Sequence, residues 1–241
     1  MKVYGIIGKS LKHSFSPRYF NKKFSDGNMN AIYEAFELEN MDNFPFLVKQ
    51  KQLAGINVTI PYKEQIIPFL DELDASAESI GAVNCIQTHK GKLVGYNTDI
   101  TGFTHSLQPL LKIQHQQALV LGTGGASKAI QQGLKKLGIP FTLVSRSGEP
   151  GTLTYQQIDR QLIETHPLII NTTPLGTFPD ITAKPAIPYQ YISPGHLLYD
   201  LVYNPETTAF LQEGVAKGAQ VKNGYEMLCI QAEAGWGIWN Q

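Results

Sequence analysis

Residues 55–63, GINVTIPYK, hold the first side chain suited to acid–base work, Lys63. The run opens on a glycine, passes through Ile56, Val58 and Ile60, and meets Pro61 just before Tyr62 and Lys63. Proline cannot continue a central strand and pushes the preceding residue into extended geometry, so the strand is expected to stop near Thr59 or Ile60. Asn57, Thr59 and Lys63 then surround a strand-to-helix turn, at the end of an open α/β sheet where ligands bind. A lysine there can pass a proton or stabilise a developing oxyanion. Read locally, it equally suits a solvated cation behind a buried strand.

Three more groups carry chemistry of the same kind. HSFSP (residues 13–17) places Ser14 and Ser16 after a first strand expected over residues 2–8. Ser16 before Pro17 reads as a helix cap with proline at the first helical position, whereas His13 and Ser14 have no such local explanation. Asn84 opens a hairpin, and Asn97, Thr98 and Asp99 close it, as ligands or as caps of the next helix. The third group is a glycine turn, Gly122, Gly124 and Gly125, between the apolar run 118–121 and a helical spacing of Ala126, Ala129, Ile130, Gly133, Leu134 and Leu137. With the strand FTLVSRS after it, this is the dinucleotide-binding plan, loosened by Ser127 at the last position of the glycine pattern. That second strand ends in Ser145, Arg146 and Ser147, with no carboxylate before Glu149. A guanidinium and two hydroxyls suit a 2′-phosphate and leave a ribose 2′-hydroxyl without its acceptor, so NADP is expected.

The elements that must position these groups alternate along the chain. Strands are expected over 2–8, 31–38, 55–60, 118–121, 141–147, 168–176, 197–205 and 219–224, with hairpin arms at 83–88 and 92–97. Helices are expected from Pro17, over 41–53, over 64–73 within the limits set by Pro68, over 100–111, 126–137 and 206–218, and over 225–240. A polar bridge, KIQHQQ, separates two halves of different character. The 241 residues are 42% hydrophobic and 17% charged, with 20 basic and 20 acidic side chains. That balance makes no electrostatic case for nucleic acid or an anionic membrane. Cys85 and Cys229 have no metal-ligand spacing, so no metal is expected, and two isolated cysteines suit a reducing cytoplasm. No leader or membrane span is legible.

Eight motifs in this order resemble the shikimate dehydrogenase family: HSFSP, GINVTIPYK, GAVN (81–84), GYNTD (95–99), LGTGGAS (121–127), NTTPLG (171–176), DLVYNP (200–205) and GYEMLCIQA (224–232). The resemblance implies an α/β chain with an N-terminal α/β substrate domain (1–99) and a Rossmann-like, doubly wound NADP domain (100–222). A C-terminal helix (223–241) returns to the first domain, and the cleft lies between the two. It implies Ser14 and Ser16 on the substrate carboxylate, and Thr59, Asn84, Asp99 and Gln231 on its hydroxyls, with Tyr203 approaching. Lys63 and Asp99 are the implied catalytic pair, Lys63 moving the proton. Gly122, Thr123, Gly124, Gly125 and Ala126 would hold the pyrophosphate, Ser145, Arg146 and Ser147 the 2′-phosphate, and Leu201 and Gly224 the nicotinamide end.

The implied reaction is the reversible NADPH-dependent reduction of 3-dehydroshikimate to shikimate, by a cytoplasmic monomer or homodimer in chorismate and aromatic amino-acid biosynthesis. A lysine beside a carboxylate stays protonated near neutral pH, which suits an acid in the reduction direction. The chain departs from the family in three places. Lys9 and Ser10 stand where a proline is frequent, Gly148 and Glu149 leave the 2′-phosphate loop without its second basic residue, and the stretch 148–155 is trimmed. Competing expectations are an NAD-preferring quinate/shikimate dehydrogenase, a catalytically silent ligand-sensing relative, and a methylenetetrahydrofolate-type dehydrogenase. The paired serines with Arg146 count against the first, and the retained Lys63 and Asp99 against the second. The absence of HSFSP and NTD motifs from the third counts against it.

Overall fold

Apolar side chains on both faces of short strands demand cover on both sides, and the protein supplies it twice. The computed structural model describes residues 1–12 and 14–241; His13, singled out beside Ser14, lies outside the described residues. The chain divides into two compact units, Met1–Thr98 with Ala232–Gln241, and Asp99–Gln231.

In the first unit the order is β1 (Lys2–Gly8), α1 (Phe15–Asp26), β2 (Ala31–Glu37), α2 (Phe44–Lys51), β3 (Leu53–Val58), β4 (Glu72–Leu73), α3 (Ala75–Glu78), β5 (Cys85–His89) and β6 (Lys92–Tyr96). Its sheet runs β2-β1-β3-β5-β6-β4. Strands β2, β1 and β3 are parallel, and the hairpin β5–β6 adds on antiparallel to β3. Alternation sorts the core. Tyr4 and Ile6 face Phe20 and Phe24 of α1, while Ile7, Ile56 and Val58 face Phe44 of α2.

The second unit contains α4 (Asp99–Leu107), β7 (Ala118–Leu121), α5 (Gly125–Lys136), β8 (Phe141–Ser145), β9 (Leu153–Thr154), α6 (Arg160–Thr165), β10 (Leu168–Asn171), β11 (Leu197–Asp200), α7 (Ala209–Ala216) and β12 (Gln220–Lys222). The closing helix α8 (Tyr225–Trp239) begins there, and its last turns from Ala232 belong to the first unit. The sheet is parallel throughout, ordered β12-β11-β10-β7-β8-β9. One face buries Ala118, Val120 and Ile170 against α4, α5 and α8; the other buries Leu119, Leu121 and Ile169 against α6 and α7. This is a doubly wound fold whose strand order reverses between β7 and β10.

Two expectations are corrected. The stretch 64–73 is not a helix: turns lead into a 3-10 turn at Ile67–Phe69 and then the strand β4, which pairs with Val94 and Gly95. Pro68 has no N–H to donate to Glu64, so the turn closed by the Ile66 N–H to Tyr62 bond cannot propagate. The apolar spacing there serves the core instead, with Ile66 fully buried and Ile67, Leu70 and Leu73 packed on the same cluster. Pro45, awkward for a helix over 41–53, sits at its start, where a missing N–H costs little; a 3-10 turn at Met41–Asn43 leads in.

The opening glycine of GINVTIPYK has a packing reason. A Cβ on Gly55 would lie 2.4 Å from the Trp239 ring, and that ring is held by its indole N–H on the Ile86 carbonyl at 3.0 Å. Gly55→Ala should therefore destabilise the protein by about 2 kcal/mol. Chemical denaturation of both proteins checks this, and equal midpoints would count against the close approach.

Candidate active site

Because β1 and β3 are parallel and β5 antiparallel, the C-terminal ends of β1 and β3, the start of β5 and the end of β6 meet at one edge. Asn57 pairs with Cys85, and Cys85 with Tyr96, which brings Thr59, Asn84, Asn97 and Thr98 to that edge. The Thr59 N–H continues the ladder onto the Ile7 carbonyl (2.9 Å), and the Lys63 carbonyl accepts from the Val83 N–H (2.7 Å). Lys63, half-buried, is thus on a turn pinned at both ends by its neighbours in the sheet.

A buried polar chain runs beneath this edge. Tyr33 donates to Asn57 Oδ1 at 2.6 Å, and Asn57 Nδ2 donates to the Asn84 carbonyl at 3.2 Å. The Asn84 side chain clamps Thr98, accepting from its N–H at 2.8 Å and donating to its hydroxyl at 3.1 Å. Asn97 Nδ2 ties the next loop by donating to the Ala82 carbonyl at 2.9 Å. Burial raises the Tyr33 phenol well above its ordinary range, so it stays a neutral donor. Tyr33 and Asn57 carried no sequence signal as partners, since alternation alone marks Tyr33 as core.

The serines exchange the parts expected of them. Ser14, not Ser16, holds the N-cap position of α1, without a side-chain cap bond, and Ser16 is buried in the first turn. A cap therefore does not account for Ser16.

In the second unit, Asp99 is the first residue of α4, and Gly102, one turn on, abuts α8: a Cβ there would meet the Met227 carbonyl at 2.6 Å and Gln231 at 3.0 Å. Gln231 is buried at that contact. Gly224 touches the Leu201 carbonyl so closely that a Cβ would come within 2.1 Å, which brings these two residues together; Tyr203, half-buried, follows β11 nearby in sequence.

At the sheet's switch point a cleft of about 640 Å³ is lined by Gly122, Thr123 and Gly124 after β7, by Ser145 and Arg146 after β8, and by Thr172–Leu175 after β10. Tyr155, Gln156, Lys184 and Ala186 complete its walls. Gly122 has φ +108°, and a Cβ would meet the Thr172 hydroxyl at 2.7 Å. At Gly124 and Gly125, by contrast, a Cβ would meet nothing within 4 Å, and α5 has no side-chain cap on its first N–H groups. That open, uncapped helix start fits a pyrophosphate. Ala126 lies in the first turn; Ser127 is fully buried and accepts from Gln131.

The β8 loop is less generous than its sequence suggests. Ser145 Oγ accepts the Gly148 N–H at 2.9 Å and shares a proton with Thr152 at 3.0 Å, so it orders the loop. Ser147 donates to Glu149 at 3.0 Å. Arg146 is exposed, and among the described residues no carboxylate lines the cleft.

These features define a dinucleotide-dependent dehydrogenase of two α/β units. Residues 6–86 match the shikimate dehydrogenase substrate-binding domain. The NADP(+) shikimate dehydrogenase of Methanococcus maripaludis is 36% identical over 99% of this chain and 91% of its own length. The crystal structure of the Aquifex aeolicus shikimate dehydrogenase aligns at TM-score 0.89, with 35% identity over 100% of this chain and 92% of that one. That of the Thermus thermophilus enzyme, in complex with NADP(H) and shikimate, aligns at 0.88, with 29% identity over 99% and 93%. The chain belongs to the shikimate dehydrogenase family. No helix among the described residues is long and apolar enough to cross a membrane.

One buried acid at this end opens the DLVYNP motif, where the sequence reading gave it no role of its own. Asp200, last in β11 and fully buried, accepts from Asn171 Nδ2 (2.9 Å), the Val202 N–H (3.0 Å) and the Thr208 hydroxyl (2.5 Å). Asn171 in turn accepts from the Thr173 N–H and hydroxyl, so one knot holds the loops after β10 and β11. Burial outweighs the three donors and pushes the carboxyl up to about 6. With the folded value raised, the native state binds the extra proton, and this group's contribution to stability falls as pH climbs from about 4 to about 6. Asp200→Asn should remove roughly 3 kcal/mol of that fall, seen as a flatter profile in denaturation at stepped pH; parallel profiles would contradict the assignment.

Proposed function

We propose that this protein is an NADP-dependent shikimate dehydrogenase interconverting 3-dehydroshikimate and shikimate. The observation that carries the reading is the pairing, in one chain, of an open helix-start cradle flanked by Arg146 with a separate sheet edge rich in hydroxyl and amide groups. A polyhydroxylated carboxylic acid needs such a set of donors and acceptors, and the family resemblance distributes them. Ser14 and Ser16 bind the carboxylate; Thr59, Asn84, Asp99 and Gln231 bind the hydroxyls; Tyr203 packs beside them. On this reading the substrate domain spans 1–99, the NADP domain 100–222, and 223–241 is the returning helix.

When bound, the reduced nicotinamide supplies the hydride. Gly122 to Ala126 would hold the pyrophosphate on the first N–H groups of α5, Arg146 would receive the 2′-phosphate from a loop that Ser145 and Ser147 order, and Leu201 and Gly224 would shape the nicotinamide end. Lys63 donates the proton to the oxygen that gains charge in reduction and takes it back in oxidation, with Asp99 as its orienting partner. Equal numbers of acidic and basic residues give no charge for a nucleic-acid or membrane partner, two isolated cysteines suit the cytoplasm, and the enzyme is read as a monomer or homodimer acting on a small molecule.

Initial rates of shikimate and quinate oxidation with NADP and with NAD, followed at the nicotinamide absorbance, test the reading. Shikimate with NADP should be the preferred pair; preference for quinate with NAD would overturn it. Lys63→Ala should lower kcat by about a hundredfold or more while KM for shikimate changes little, and near-normal turnover would remove Lys63 from its role. Arg146→Ala should raise KM for NADP by about tenfold or more, with far less effect on NAD.

A further inference from the structure

The cleft that carries Arg146 holds a second cation to which the family pattern assigns nothing. Lys184, in the connection between β10 and β11, lies on its lining. The ammonium sits 5.1 Å from the centre of the Tyr189 ring and meets Glu213 Oε1 of α7 at 2.5 Å. Both partners are partly exposed, 38% and 31%, so this ion pair contributes little to folding, and Glu213 engages only part of a group with three donors. Tyr155 lies within electrostatic reach of both Arg146 and Tyr189. Arg146, Tyr155 and Lys184 all line the cleft, and Tyr189 stands behind Lys184.

The demand for a second cation comes from the β8 loop itself. Ser145 is committed to Gly148 and Thr152, and Ser147 holds a carboxylate, Glu149, close to Arg146 in sequence. A phosphate monoester near neutral pH carries close to two negative charges, more than one guanidinium matches. Lysine's flexible stem lets its ammonium reach such a group without leaving the wall it lies on.

We propose that Lys184 is a specificity-determining residue for the adenosine 2′-phosphate, supplying from the β10–β11 connection the second positive charge that the β8 loop lacks. The proposal rests on the reading of this cleft as the NADP site and adds a residue to it. Its distinctive consequence is discrimination between two adenosine fragments that differ only in the 2′-phosphate.

Isothermal titration of the full-length protein with 2′,5′-ADP and with 5′-AMP reads that discrimination without turnover. Lys184→Gln should weaken 2′,5′-ADP about fivefold to tenfold and 5′-AMP much less, so that the ratio of affinities falls about fivefold. Raising the salt concentration should narrow the difference between the wild type and the variant. An unchanged ratio in Lys184→Gln, with Arg146→Ala lowering it, overturns the role of Lys184 and leaves the cleft as the NADP site. A ratio unchanged in both variants overturns the reading of the cleft itself, and the proposal with it.

Discussion

Where a strand stops, its last backbone groups lose their ladder partners, and buried groups of that kind must be paired again. In both units an asparagine does much of this work at the end of the sheet where the candidate site residues gather. Asn84 receives Asn57 on its carbonyl and clamps Thr98 with its side chain. Asn171 receives Thr173 and reaches across to Asp200, which gathers Val202 and Thr208. An amide suits the task because it offers a donor and an acceptor on one short stem. The loops so fixed lead into Asp99 in one case and, in the other, line the cleft and lead to the Leu201–Gly224 contact.

The same constraint explains why the glycines differ in purpose. Gly55, Gly102 and Gly224 are needed because something solid stands where a Cβ would go: an indole ring, a helix carbonyl, a strand-end carbonyl. Gly124 and Gly125 face open space, at the start of a helix whose first N–H groups no side chain caps. Close protein packing accounts for the first set, and the proposed function gives the second set its pyrophosphate. Sequence periodicity alone treats them alike.

Much of the architecture was legible because it follows from local rules. The apolar run 118–121, the glycine turn and the helical stripe after it specify a βα unit, and the parallel strand order follows that plan. The stretch 64–73 misled, since apolar spacing suited to a helix also suits a turn that lays Ile66, Ile67 and Leu70 on a core, and Pro68 decides between them. Ser16 misled similarly: serine before proline is a cap signal, yet the helix begins two residues earlier, at Phe15, and seats Ser16 inside its first turn. Of the site, the residues in compact motifs were readable. Tyr33 was not, because its partner Asn57 lies 24 residues away and only the folded sheet brings the two together, and Lys184 stands outside every motif.

The proposed function requires that one chain bind both shikimate and a nicotinamide and pass hydride directly from the first to the second. Shikimate carrying deuterium on the carbon whose hydroxyl is oxidised tests that directly when incubated with the protein and NADP. The account predicts that the label is recovered in the NADPH formed, with none exchanged into water. NADPH formed without the label, or label released to solvent, would contradict it.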